Sequence, residues 1–109
     1  MKKRYRILKN TEFQKIKNNK NFIKGNSVVI YPVIKKLNHS RIGISVSKKI
    51  GNAVKRNKIK RQIRSIFAMN FNFNTLKNDY LIFPRKNYNF KKFIKVKEEI
   101  INLINKEEN

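Results

Sequence analysis

The 109 residues carry 28 Lys and Arg against 6 Asp and Glu, a formal charge of +22, and include no Cys. A chain this short fits one domain around one core, disulfides and thiolate zinc sites are excluded, and so much like charge destabilises a compact body unless a polyanion relieves it. Hydrophobic residues make up only 39% of the chain, but 8 Phe, 4 Tyr and many Ile give a core enough bulk.

Met1 to Asn10 is basic, without a following apolar run of signal-peptide length, and no segment approaches a transmembrane span, so a cytoplasmic protein is expected. Thr11-Glu12-Phe13-Gln14 has the form of a capping box and opens a short first helix, with Phe13 and Ile16 on one face. Ser27 to Ile34 is rich in β-branched residues and predicts a strand, in which Pro32 implies an edge or a bulge. Leu37 to Ser40 reads as a hairpin loop. From Arg41, Ile42, Ile44 and Val46 alternate with Gly43, Ser45 and Ser47, a strand with small residues on its second face.

Asn52 to Met69 predicts a helix with an apolar stripe at Ile59, Ile63, Ile66 and Phe67 and a basic stripe at Arg56, Lys60 and Arg64. Asn70 to Asn78 reads as a loop whose two Phe pack back on the core, and Tyr80 to Phe83 as a short strand stopped by Pro84. Phe90, Phe93, Ile94, Ile100, Ile101 and Ile104 line a last helix capped by Asn89, with residues 105–109 expected to fray as a tail. The fold class is α+β: a single domain over 1–109 in the order α-β-β-α-β-α, with room for one further short strand. Its mixed central sheet contains a βαβ crossover.

The carboxylates are too few and too scattered for a protein-borne metal nuclease. Glu98, Glu99, Glu107 and Glu108 sit at the C-terminal end, and only Glu12 and Asp79 lie elsewhere. The one histidine, His39, falls in an expected turn and reads as an exposed loop residue, and Ser45 and Ser47 read as strand spacers without a base to activate them.

The positive signal is the basic helix. From Lys48 to Arg64 every charged residue is basic, so the stripe gains no internal ion pairs and needs a partner to supply negative charge. Lysine outnumbers arginine 21 to 7, yet Arg56, Arg61 and Arg64 gather here, where a guanidinium fork grips phosphate bidentately. Charge spread along the chain favours nucleic acid over an anionic membrane, which is usually met by a polybasic tail or an amphipathic helix. Phe13 and Tyr31 are the aromatics expected near the open sheet face, where bases of a single strand could stack, although both also suit a core.

The block Ile44-Ser45-Val46-Ser47-Lys48-Lys49-Ile50-Gly51-Asn52-Ala53-Val54-Lys55-Arg56-Asn57-Lys58-Ile59-Lys60-Arg61-Gln62-Ile63-Arg64 closely resembles the bacterial ribonuclease P protein family, and the flanking element order matches over nearly the whole chain. The resemblance implies a protein without catalytic residues or a metal site of its own. It would assist a catalytic RNA whose Mg²⁺ ions remove the 5′ leader of precursor tRNA. It implies that Lys48, Lys49, Arg56, Asn57, Lys58, Lys60, Arg61 and Arg64 grip the catalytic RNA, and that Phe13, Lys17, Tyr31 and Ser45 belong to a leader-binding cleft. Lys17 stands where relatives often carry an aromatic. The resemblance also implies a left-handed βαβ crossover, against the usual right-handed rule, and a protein that is monomeric in a 1:1 ribonucleoprotein. Three other functions compete: a ribosomal or general RNA-binding protein, a helix-turn-helix DNA binder, weakened by the strand that precedes the basic helix, and a protein nuclease.

Overall fold

The computed structural model describes residues 2–7 and 21–109. The expected first helix, with Phe13 and Lys17, lies outside them. From residue 21 onward the expected strands and helices are present in the expected order, preceded by one short extra strand. They are β1 (Ile23–Lys24), β2 (Val28–Ile34), β3 (Ile42–Ile44), α1 (Ala53–Asn70), β4 (Asn78–Pro84) and α2 (Phe93–Glu108).

The sheet order is β1-β2-β4-β3, with β1 and β4 antiparallel to β2 and β3 parallel to β4, so β3-α1-β4 is the βαβ unit of a mixed sheet. The expected hairpin at Leu37 to Ser40 is therefore not one, because β4 lies between the two strands it would join. Tyr80, Leu81 and Ile82 are fully buried, and a strand this apolar belongs in the interior of a sheet, where both neighbours cover it. Ser40, buried in the connection, donates its hydroxyl to the Asn78 carbonyl at 2.6 Å and its N–H to the Phe73 carbonyl at 2.7 Å.

Pro32 pairs with Tyr80 of β4 on one side, while β1 reaches only Val29 and Ile30 on the other. It sits where β2 has become an edge, the position a residue without an N–H tolerates. Val28, Ile30, Ile42, Ile44, Tyr80 and Ile82 face the helices and pack on Ile59, Ile63, Ile66 and Phe67 of α1 and Val96, Ile100 and Ile104 of α2. Phe73 is buried and Phe71 partly buried against the same core, as expected of the loop aromatics.

The apolar stripe of α2 differs from the expected one. Ile94 is 70% exposed and Val96 is buried in its place. Asn89 caps a 3₁₀ turn, Phe90–Lys92, through the Lys91 N–H, and the α-helix starts only at Phe93. Within the α-helix Val96, Ile100 and Ile104 recur at spacing four and share the buried face, whereas Ile94, six residues before Ile100, points away from it.

The expected tail is also helical. α2 continues to Glu108, whose carboxylate accepts the Lys77 N–H at 2.8 Å and the Tyr80 hydroxyl, tying the last turn to the entry of β4. At the other end of the sheet Glu99 accepts the Ser27 N–H at 2.9 Å and the Val28 N–H at 3.2 Å. Gly25 permits this approach, since a Cβ there would lie 2.7 Å from Glu99 Oε2 and 2.8 Å from Leu103 Cδ1. Among the described residues no helix is long and apolar enough to cross a membrane.

Candidate nucleic-acid interface

Asn52 caps α1 by accepting the Lys55 N–H at 2.9 Å, and the chain enters it through a 3₁₀ turn, Lys48–Ile50, capped by Ser47. Ile50 is buried and anchors this turn, leaving Lys48 and Lys49 exposed. With the apolar stripe of α1 fixed on the sheet, its other residues have settled directions. Arg56, Lys60 and Arg64, four residues apart, form one flank.

The Arg64 guanidinium is held below the ordinary arginine value, first by burial and then by the like charge of Arg6. Arg6 bridges to Ile42 along the outer edge of β3, so this flank faces the N-terminal segment. The Arg56 Nε is buried without a hydrogen-bond partner among the described residues. Val54, Asn57, Lys60, Arg61 and Arg64 line a shallow open depression with no carboxylate in it. Such a surface concentrates positive charge at a cost that phosphate oxygens would remove.

Lys58 stands apart from this group. It lies on the opposite flank with Gln62, whose Nε2 donates to the Phe90 carbonyl at 2.8 Å and whose Oε1 accepts the Tyr88 hydroxyl at 2.9 Å. The Lys58 ammonium is 4.8 Å from the centre of the Phe90 ring. One helix thus presents two basic surfaces, the larger toward the N-terminal segment and a smaller one toward α2.

The sheet face turned away from the helices carries the second set of residues. Register places Tyr31, Leu81 and Gly43 in one row across it, and Val29 and Phe83 in the next. Ser45, one residue past β3, continues that second row, because its N–H donates to the Ile82 carbonyl at 3.0 Å. Tyr31 and Ser45, 14 positions apart in the sequence, are thus brought to adjoining rows of one face. Phe83, absent from the expected cleft residues, lies beside Tyr31 with ring centroids 5.3 Å apart, edge to face. Strand parity puts it on the face opposite Tyr80 and Ile82, but only the register of Leu81 on Tyr31 sets it beside that ring.

Three of the five described acidic groups are engaged elsewhere. Asp79 holds Arg41, Glu99 holds the start of β2, and Glu108 holds Tyr80. No group of three His, Asp or Glu side chains comes together among the described residues, a donor set that does not fit a protein-borne Mg²⁺ site. His39 is half-buried rather than exposed, with its ring edge-on to Tyr5 at 5.1 Å and Tyr5 stacked on Phe73 at 4.5 Å, so it belongs to the packing of the N-terminal segment.

Comparison with known proteins points the same way. The family model described as ribonuclease P matches residues 1–108. The chain is 45% identical over 105 residues to the ribonuclease P protein component of Listeria welshimeri, covering 95% of this chain and 88% of that one. It is 38% identical over 104 residues to that of Clostridium kluyveri, covering 94% and 93%. Its fold superposes on the solved structure of the Staphylococcus aureus RNase P protein with a TM-score of 0.78 and 34% identity, covering 93% of each chain. A basic helix, a sheet face with aromatic rings and matches that span nearly the whole chain lead to one assignment: the chain belongs to the ribonuclease P protein family, the protein component of a ribonucleoprotein endoribonuclease.

Proposed function

We propose that this chain binds the catalytic RNA of ribonuclease P through Lys48, Lys49, Arg56, Asn57, Lys58, Lys60, Arg61 and Arg64. In the same proposal it receives the 5′ leader of precursor tRNA on the sheet face that carries Tyr31, Phe83 and Ser45, with Phe13 and Lys17 assigned to that cleft by family resemblance. The particle is a 1:1 ribonucleoprotein in the cytoplasm, and the Mg²⁺ ions that drive hydrolysis are held mainly by the RNA. The protein neutralises phosphate charge where two RNAs approach each other, which lowers the Mg²⁺ concentration needed for cleavage.

The observation that carries this reading is the flank of Arg56, Lys60 and Arg64, four residues apart on α1, with no carboxylate in the depression that Lys60 and Arg64 line and with Arg64 held below the ordinary arginine value by burial and the neighbouring Arg6. Helical spacing sets these side chains about one turn apart, within reach of successive phosphates along a backbone. Reconstitution tests it. Added to a cognate catalytic RNA, the protein is expected to raise leader cleavage at low Mg²⁺ and to shift the Mg²⁺ dependence downward. Unchanged cleavage and unchanged Mg²⁺ dependence would overturn the reading.

A further inference from the structure

The row of side chains on the outer sheet face continues past Tyr31. Ile23 pairs with Ile30 and Lys24 with Val29, so the residue before β1, Phe22, falls beside Tyr31. The two ring centroids are 5.5 Å apart at an interplanar angle of 39°, and Tyr31 in turn meets Phe83 at 5.3 Å. Three aromatic rings therefore cross the face from β4 to the rim of the sheet. Phe22, at the rim, is 50% exposed. Lys24, exposed and on the same face by alternation, occupies the adjoining row with Val29 and Phe83.

A ring packed against its neighbour on one side and open on the other presents a π surface to which any base can stack. A lysine one row away is within reach of that nucleotide's phosphate. Asp79, on the far side of the Tyr31 row, is paired with Arg41. Glu107 of α2 shares with Phe22 a depression lined by Pro32, Ile34 and Asn78, residues of the opposite strand parity to Tyr31, so the anion is placed on the Lys24 side of the ring, outside that depression. A second copy of the chain would bring another +22 to the patch, which disfavours self-association and favours a polyanion.

We infer that Phe22 and Lys24 extend the single-strand track of the sheet face to its rim, Phe22 stacking on a base of the leader further from the cleavage site than the one at Tyr31 and Lys24 holding its phosphate. This inference rests on the reading that the outer sheet face receives the leader.

The test uses holoenzyme reconstituted with cognate catalytic RNA, and measures the affinity for precursor tRNA with leaders shortened one nucleotide at a time and for mature tRNA. Phe22→Ala is expected to weaken binding of the long-leader substrate by about fivefold, the low end of one lost base stack. Phe22→Tyr restores it, and mature tRNA binds as before. Lys24→Gln is expected to lower the salt dependence of long-leader binding by roughly one phosphate contact. As the leader is trimmed, the loss at Phe22→Ala disappears at a length where the loss at Tyr31→Ala persists.

An equal loss for mature tRNA and for every leader length gives Phe22 a structural role and overturns the inference. So does an intact affinity at Phe22→Ala alongside a leader-dependent loss at Tyr31→Ala, which leaves the cleft standing. If neither variant changes leader-dependent affinity, the cleft itself is wrong and the extension falls with it.

Discussion

Asp79 and Arg41 form the ion pair that sets the start of the βαβ unit. The Asp79 carboxylate, with its side chain only 3% exposed, accepts the Arg41 backbone N–H at 2.8 Å and the guanidinium at 3.3 Å. The Tyr80 N–H returns a bond to the Arg41 carbonyl at 3.1 Å, so the pair fixes the register of β3 on β4 at its first rung.

Removing the acid strands a largely buried guanidinium. Asp79→Ala is expected to destabilise the protein by about 2–3 kcal/mol, the lower range for breaking a buried pair because Arg41 keeps some contact with water. Asp79→Asn keeps an acceptor for the Arg41 N–H and is expected to lose less. Urea unfolding measures both. Leader cleavage by the reconstituted Asp79→Asn holoenzyme is expected to survive, since the acid has a structural task.

The end of α2 makes a second prediction. Glu108 binds Tyr80 and the Lys77 N–H across 28 and 31 positions of sequence, so the last turn of the helix is held by the sheet. Tyr80→Phe, which deletes one hydrogen bond to a charged group, is expected to cost about 1.5–3 kcal/mol in urea unfolding. A chain cut after Ile104 loses the bonds to both residues and is expected to unfold at lower urea than Tyr80→Phe.

The same tyrosine sets the response to alkali. Burial, followed by the hydrogen bond to Glu108, raises the Tyr80 hydroxyl above its ordinary value of 10.0, and burial and the charge of Glu99 do the same for Tyr88. Both groups stay protonated in the fold at a pH where the unfolded chain has lost the proton, so the unfolded state binds fewer protons and stability declines as pH rises past about 10. Below that pH their contribution is complete. Each contributes a slope of at most ~1.4 kcal/mol per pH unit. Lysines losing charge in the same range relieve repulsion and act in the opposite direction, so the comparison that isolates the tyrosines is wild type against Tyr80→Phe/Tyr88→Phe. Urea midpoints at pH 8 to 11 are expected to fall less steeply in the double variant.

Local pattern carried the sequence reading a long way and then stopped at pairing. The stripe of Ile59, Ile63, Ile66 and Phe67 and the alternation at Ile42 and Ile44 fall where periodicity puts them, because each was set by burial of one face. Periodicity does not encode which strands are neighbours. Nothing in residues 27–44 indicates that β4, more than 30 residues later, would come between β2 and β3. Glu108 reads as a tail residue because its partners are distant, and Ile94 reads as core because the helix carries apolar residues at more than one phase and only packing on the sheet selects the face of Val96, Ile100 and Ile104. In the candidate site the basic residues were legible as a group. Their division between two flanks required the orientation of the helix on the sheet, and the place of Phe83 required the register of β2 against β4.

That division separates two lysines that composition treats alike. Lys60 belongs to the depression with Asn57, Arg61 and Arg64, whereas Lys58 stands over Phe90. Lys60→Ala is expected to weaken binding of the catalytic RNA more than Lys58→Ala at equal salt. Filter binding at several salt concentrations checks this, and equal losses would mean that the RNA covers both flanks of α1.

The arginines of α1 give the strongest prediction, because their effect is read as a slope as well as an affinity. Each phosphate neutralised contributes about −0.7 to −0.9 to the dependence of log affinity on log salt, according to whether the RNA is single- or double-stranded. Replacing Arg56, Arg61 and Arg64 by Gln keeps a flexible side chain with hydrogen-bonding groups but removes three charges, two of them on residues that are half-buried and only partly screened by water. Binding to the catalytic RNA is expected to weaken by at least two orders of magnitude at physiological salt, with the slope flattened by roughly two units for two to three lost contacts. The same substitutions remove like-charge repulsion around Arg64 and Arg6, so the free variant is expected to be as stable as the parent or more so in urea. An RNA-binding loss paired with unimpaired folding separates an interface from a structural element. Full affinity with an unaltered salt slope would remove the basic helix from the interface altogether.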